Sequence, residues 1–140
     1  MSRIIPPDTS LWLCNHLRTE LAIYGGLQVG VRIPPGYNGT YSLIVIRDDG
    51  ARQENRVTFD QTFGVTFYGD NNRSAKVCHD MAALVYSILT DDELPALDGS
   101  PIAGIVEEGC NGVYPVDVKQ QTIAYYMTVE YMTVPDLLAK

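Results

Sequence analysis

The sequence predicts an α+β fold, because two strand patterns joined by a charged loop run directly into an amphipathic helix pattern. The stretch 41–47 is nearly all apolar, as in a strand covered on both faces. In the stretch 57–67, apolar and polar residues alternate, which is typical of a strand with one buried face. A helix capped by Asn72 or Ser74 is expected next, since apolar residues then recur at spacings of three and four: Cys78, Met81, Ala82, Val85, Ile88 and Leu89.

Two elements are expected before this centre. Asp8 follows two prolines and can cap a first helix that runs to about Ile23. The stretch 27–33 has apolar residues at alternate positions and is expected to be the first strand. The stretch 34–39 contains two prolines and two glycines, so we expect a loop there.

The polar stretch 48–55, which joins the two central strands, is longer than a tight hairpin requires. Asp49 and Gly50 within it favour a turn, because Asp–Gly pairs tolerate positive φ. We therefore expect a β-arm that projects from the sheet, with its turn near Gly50.

Three further strands are expected after the central helix. The stretch 102–106 is predicted to be a short strand, 109–112 a turn, and 113–118 an irregular strand interrupted by Pro115. Alternation of apolar and polar residues over 123–131 predicts a long last strand.

Length and composition limit the possible architecture and the cellular location of the protein. A chain of 140 residues with 46% hydrophobic content fits one α+β domain over residues 1–140, which can bury about 68% of its unfolded surface. No apolar run approaches the ~18 residues of a membrane span, and the N-terminus is too short for a signal peptide, so we expect the protein to stay in the cytoplasm of the cell that makes it and to have no membrane partner. Three cysteines without a paired spacing predict free thiols.

The negative charge is concentrated in one segment. The net charge is −7, yet residues 77–118 contain no Lys or Arg. Such a chain is a poor candidate for binding nucleic acid by sequence, because phosphate binding needs clustered basic residues. The acids either keep the protein soluble or form a surface along which DNA passes without sticking. They are Asp80, Asp91, Asp92, Glu93, Asp98, Glu107, Glu108 and Asp117.

No combination of residues indicates catalysis. Cys14 and His16 would point roughly 200° apart on a helix, which disfavours a zinc site. Asp48 and Asp49 follow an apolar strand, as acids that bind magnesium often do, but no phosphate-binding Gly-rich loop accompanies them. The Gly-x-Ser-x-Gly pattern of a nucleophilic serine is absent. We therefore expect no enzyme activity, no metal and no cofactor, which favours a structural or binding role.

The order of features resembles a known family. An N-terminal helix and a Pro/Gly loop precede an apolar strand that ends in Ile-Arg-Asp-Asp-Gly at 46–50. A strand beginning Val-Thr-Phe-Asp at 57–60, a long helix and a last strand containing Tyr-Tyr-Met-Thr-Val-Glu at 125–130 follow. This order, over nearly the whole chain, is similar to the tail terminator proteins of long-tailed siphophages.

The resemblance implies an α+β fold with both main helices on one side of a mixed or antiparallel sheet. It also implies a structural virion protein of the tail or neck that is assembled in the host cytoplasm. Such a protein is a homo-oligomer that forms a ring, expected to be a hexamer, and caps the finished tail tube. Such a ring ends tube polymerisation and joins tail to head, so its partners are other copies of itself, the tail tube protein and a head-completion or stopper protein. DNA would pass through its channel.

Two sets of residues are candidates for this role. The β-arm is expected to supply interface residues, because an arm and open sheet edges suit contacts between subunits: Arg47, Asp48, Asp49, Arg52, Glu54 and Arg56. The acidic segment is expected to supply channel-facing residues: Asp91, Asp92, Glu93, Glu107 and Glu108.

Three other functions remain open from the sequence. Within the same assembly, the chain could be a head–tail connector or stopper protein of the neck. Outside it, the alternatives are a small cytoplasmic enzyme and a module that binds a host factor.

Overall fold

A computed structural model describes residues 4–25, 27–119 and 122–137. Within these residues the chain forms two α-helices, a six-stranded mixed sheet and a separate two-stranded pair, which confirms the predicted α+β fold class. The elements are β1 (Ile4–Ile5), α1 (Thr9–Glu20), β2 (Leu27–Gly30), β3 (Ser42–Gln53), β4 (Phe59–Tyr68), α2 (Ala75–Leu89), β5 (Ile102–Ile105), β6 (Asn111–Val116), β7 (Ala124–Thr133) and β8 (Asp136–Leu137). Short 3₁₀ helices lie at Leu94–Ala96 and Glu107–Gly109.

The strand order of the large sheet is β2-β3-β4-β7, and both β5 and β6 pair with the far side of β7. β2 runs parallel to β3, whereas the other pairs are antiparallel. β1 and β8 pair antiparallel to each other.

One face of the sheet packs against both helices and holds the main core. Leu13 and Leu17 of α1 and Val85 of α2 are fully buried against it. The opposite face has a smaller core around Leu43 and Tyr68, on which partly buried side chains of the 31–41 loop pack. Beyond that loop, this opposite face carries polar side chains, and we call it the helix-free face. The strand residues of the main core are Val29, Ile44, Ile46, Phe63, Val65, Phe67, Ile102, Tyr125, Met127, Val129 and Tyr131.

Both helices begin where the sequence predicts. The Asp8 side chain accepts a hydrogen bond from the Leu11 backbone N–H at 3.2 Å, and Ser74 Oγ accepts one from Val77 at 3.2 Å. The expectation that α1 continues to Ile23 was wrong. The helix ends at Glu20. Ile23 is 84% exposed, so a further helical turn is not stabilised by burial of this side chain.

Several strand boundaries also differ from the prediction. β2 ends at Gly30 rather than at residue 33, and β4 begins at Phe59, after the exposed Val57. The turn expected at 109–112 is wrong, because β6 already begins at Asn111. Pro115 lies inside β6, where an edge strand tolerates its missing N–H.

The cysteines of the chain are free thiols, as predicted, with Cys14 and Cys78 buried. In the residues described, neither helix is long and apolar enough to cross a membrane.

Candidate functional site

The predicted β-arm is present, but its turn lies further along the chain than expected. β2 pairs with β3 only as far as Val45, so from residue 46 onward β3 is paired on one side, with β4. We call residues 46–58 the β-arm. Along residues 46–53, one side of β3 has no strand partner in the described ranges, and we call this side the open edge of β3. Residues 47–57 are exposed, and the arm turns at 54–58.

The turn predicted at Gly50 is instead a bulge within β3. Asp48 pairs with Phe63, but Ala51 is the next residue to pair, with Gln61, so β3 contains one residue more than β4 here. Gly50 has φ of 117°, which favours glycine, and its N–H donates to Asp48 Oδ1 at 2.8 Å. The Asp–Gly pair therefore bends a continuing strand.

Arg47 ties the base of the β-arm to β7. Its Nε donates to Asp49 Oδ1 at 2.6 Å, and its Nη2 donates to Tyr126 Oη at 2.7 Å. The hydrogen bond with Asp49 raises the pKa of Arg47 above its usual value, so the guanidinium stays charged. Gly64 lies beneath this contact, and a Cβ at that position would collide with Tyr126 Oη and Arg47 Nη2.

A group of carboxylates crosses the helix-free face next to the arm. Arg52 Nε donates to Glu54 Oε1 at 2.7 Å, and its Nη2 lies 3.5 Å from Asp60 Oδ2. The other oxygen, Asp60 Oδ1, is buried without a hydrogen-bond partner in the part of the chain described. Burial raises the pKa of Asp60, and the Glu54 carboxyl adds to the rise. Burial, followed by repulsion from Asp60, likewise raises the pKa of Glu130.

The two predicted acidic clusters meet at one groove. Asp91, Asp92 and Glu93 follow the end of α2, and Glu107 and Glu108 form the 3₁₀ helix after β5. All five are exposed. Asp92 and Glu107 line the same groove of about 470 Å³, which also contains Tyr86, Thr90, Pro95, residues 103–105 and Cys110.

The structure therefore brings one acid of each cluster, Asp92 and Glu107, to the same groove, and it separates both clusters from the six arm residues within one subunit. The β-arm extends the β3 side of the sheet, whereas the acids flank β5 on the far side of β7. The surface of one chain thus presents its two candidate sets on opposite sides of the sheet.

The site offers little for metal or covalent chemistry. Among the described residues, no three His, Cys, Asp or Glu side chains are grouped closely enough to hold a metal ion. Burial raises the pKa of Cys110, the thiol in the groove, which leaves it protonated at neutral pH.

The arrangement of helices and strands recurs in a solved structure. A chain of the structure described as "Virion of native gene transfer agent (GTA) particle" matches with a TM-score of 0.55 and 17% sequence identity, over 89% of this chain and 92% of that chain. The two chains share a fold. At this identity the likeness concerns the fold alone. No protein-family model and no curated protein matches the chain.

Sequence analysis missed three residues that surround the β-arm. Tyr126 holds Arg47, while Asp60 and Glu130 form the carboxylate group with Arg52 and Glu54. All three occupy positions of β4 and β7 that alternate with core residues. Their outward direction was readable from the strand period, but the strand order that makes them neighbours was not.

Proposed function

We propose that this chain is a structural virion protein that forms a ring on the phage tail tube, ends tube polymerisation and joins tail to head. The observation that carries the virion role is the shared fold with a chain of a gene transfer agent virion over 89% of the sequence. The more specific role, tail termination, rests on the sequence resemblance.

The β-arm supports a role in assembly. It exposes eleven consecutive residues, 47–57, and an open strand edge, which are features of surfaces that bind another chain. The bulge and the Arg47 contact with Tyr126 hold the base of the arm against the sheet, so that it is presented in a defined direction. Its six charged residues are the proposed interface with a neighbouring subunit or the tail tube protein.

The acidic side of the sheet fits a protein through which DNA passes. In a ring, the exposed acids after α2 and β5 would repel the phosphate backbone, so the genome would not be held by released counterions. We propose that part of this set, including Asp91, Glu93 and Glu108, faces the channel.

The test uses the purified chain and polymerising tail tube protein. We expect rings in negative-stain images and tubes that stop growing when the chain is added. Replacing Gln53 and Glu54 by glycine should leave the monomer folded, because surface changes usually shift stability by less than about 0.5 kcal/mol, but should weaken capping.

Two results would contradict the proposal. Rings that bind no tube but do bind the head-completion protein would favour the alternative, a connector or stopper of the neck. A monomer with metal-dependent turnover would favour an enzyme.

A further inference from the structure

Several strand edges of the sheet lack a strand partner in the described ranges, among them the outer edges of β2 and β6, and two of them lie on opposite sides of the sheet and carry the argument below. On one side is the open edge of β3, residues 46–53. On the other side β5 pairs with β7 alone among the described residues, and its residues 103–105 line the groove between β5 and the end of α2. An open edge presents N–H and C=O groups to which a strand of another chain can add.

Unpaired arginines lie at both ends of the open edge of β3. Arg32 follows β2 at the point where β2 leaves β3, and Arg56 lies in the turn of the β-arm. Both are exposed, and neither takes part in an ion pair within the described ranges.

Unpaired acids surround β5 in the same way. Asp98 precedes the strand, Glu107 and Glu108 follow it, and Asp92 lies across the groove. The whole segment 77–118 contains no Lys or Arg. Seven of its acids form no ion pair in the part of the chain described: Asp91, Asp92, Glu93, Asp98, Glu107, Glu108 and Asp117.

We propose that the open edge of β3 in one copy of this chain adds as a strand to β5 of a second copy, with Arg32 and Arg56 facing the acids of the groove. The inference rests on the proposed ring and names its subunit contact. The two surfaces differ, so the contact is heterologous. Each subunit contacts one neighbour through its β3 edge and the other neighbour through β5, and such contacts produce a ring when the rotation between subunits closes. The unpaired arginines at the ends of one edge and the unpaired acids around the other favour this pairing of edges, and Asp48, between the two arginines, is the one acid of the open edge without an ion pair in the described ranges.

Two reciprocal charge reversals test the contact. Variant A carries Arg32→Glu and Arg56→Glu, and variant B carries Asp92→Arg and Glu107→Arg. Each places like charges across the contact, so we expect each alone to dissociate at least about tenfold more readily than the unmodified chain in sedimentation at low salt.

An equimolar mixture of variants A and B supplies the decisive measurement. The reversed arm of A matches the reversed groove of B, and the native arm of B matches the native groove of A. We therefore expect the mixture to regain the native assembly, with the two variants alternating around the ring. The inference would be overturned if either variant alone assembled as strongly as the unmodified chain. It would also be overturned if the mixture failed to assemble although circular dichroism showed both variants to be folded.

The matched control reverses two cations elsewhere. Arg73 and Lys76 are exposed near the start of α2, and Arg73→Glu with Lys76→Glu makes the same change in net charge as variant A. Both residues form ion pairs within the chain, with Asp70 and Asp80, so the fold of this control is checked by circular dichroism as well. We expect this control to assemble as the unmodified chain does. If variant A fails to fold, Arg56→Glu alone is paired with variant B.

Hydrogen exchange tests the strand pairing itself. In the assembly, outward-facing amides within 46–53 and 102–105 should exchange more slowly than in the monomer. Unchanged exchange in both stretches would overturn the inference even where the charge reversals act.

Failure of this contact and failure of the proposed function give different results. If the rings cap tubes and both charge reversals leave assembly unchanged, the proposed function is supported and the proposed contact is wrong. Rings that respond as expected but do not cap tubes remove the function and leave the contact. A chain that stays monomeric at all concentrations removes both.

Discussion

Gly64 illustrates how one missing side chain shapes the helix-free face. Three strands meet at its level, with Arg47 on β3 and Tyr126 on β7 reaching across β4 to form their 2.7 Å hydrogen bond. The Arg47 guanidinium carbon also lies 5.8 Å from the centre of the Tyr126 ring. Any residue larger than glycine would occupy the space in which these two side chains meet.

We expect Gly64→Ala to lower the free energy of unfolding by about 1–3 kcal/mol, the usual cost of overpacking, as measured by urea denaturation. Gly104→Ala is the control, because a Cβ there has no heavy atom within 4 Å outside its chain neighbours and the backbone is not left-handed. Equal stability of the two variants would show that the Arg47 and Tyr126 side chains can move apart without a loss of stability.

At the scale of elements, the end of α2 is fastened to the middle of the sheet by Tyr131 of β7. The Tyr131 side chain is fully buried, and its hydroxyl donates to the Leu89 carbonyl at 2.5 Å. That carbonyl belongs to the last turn of the helix, where no intrahelical donor remains for it. In the same turn, the Thr90 hydroxyl donates a hydrogen bond to the Tyr86 carbonyl at 2.7 Å.

Removing this hydroxyl should loosen the helix end. We expect Tyr131→Phe to cost about 1–3 kcal/mol, because the buried Leu89 carbonyl loses its donor, and to speed hydrogen exchange in the last turn of α2. Tyr114→Phe, at a residue 38% exposed on β6, is the matched control and should be nearly neutral. A neutral Tyr131→Phe would mean that another donor replaces the hydroxyl.

Local chemistry predicted the elements better than their limits. The cap at Asp8 and the apolar face of α2 follow from residues a few positions apart, so the sequence alone was sufficient for them, whereas the structure was needed to select Ser74 rather than Asn72 as the cap of α2. Gly50 was misjudged because an Asp–Gly pair suits both a hairpin turn and a bulge, and pairing with β4 selects the bulge. Val57 has the side chain of a strand residue, but no partner strand reaches the tip of the arm in the described ranges.

The grouping of the candidate residues could not be predicted from the sequence. Arg47 and Arg52 were recognisable as charged residues of an exposed arm. Their contacts with Tyr126 and Asp60 depend on the strand order, which places residues 79 positions apart within one hydrogen bond. The meeting of Asp92 and Glu107 at one groove depends on the packing of α2 beside β5, which no local pattern encodes.

For the whole molecule, the main property is its separation of charge across the sheet. Four described arginines, Arg32, Arg47, Arg52 and Arg56, lie on the β2–β3 side and in the β-arm, where neighbouring acids offset them, while the segment 77–118, which contains β5 and β6, holds acids and no Lys or Arg. In the proposed ring, this uneven charge would orient a subunit relative to its neighbour and relative to DNA, more strongly at low ionic strength.

If part of the acidic set faces the channel, its removal should slow the passage of DNA. We expect phage carrying Asp91→Asn, Glu93→Gln and Glu108→Gln to eject DNA more slowly at low salt and normally at high salt, because salt screens the lost repulsion. The measurement is the ejection rate over a salt series, with ring assembly checked by electron microscopy. Normal ejection at every salt concentration, with rings intact, would assign these acids to solubility alone.

The single extra residue at the β3 bulge has a consequence for how this chain can vary over evolution. Paired residues of neighbouring strands lie on the same face, so without Gly50 the ladder would become regular, with Ala51 still opposite Gln61 and Arg52 still opposite Asp60. The loss would instead remove the bend and the added twist that a bulge gives its strand, and would change the direction in which the arm leaves the sheet. We therefore expect relatives to vary in arm sequence and in the length of the 54–58 turn, and to keep the spacing between Asp48 and Ala51.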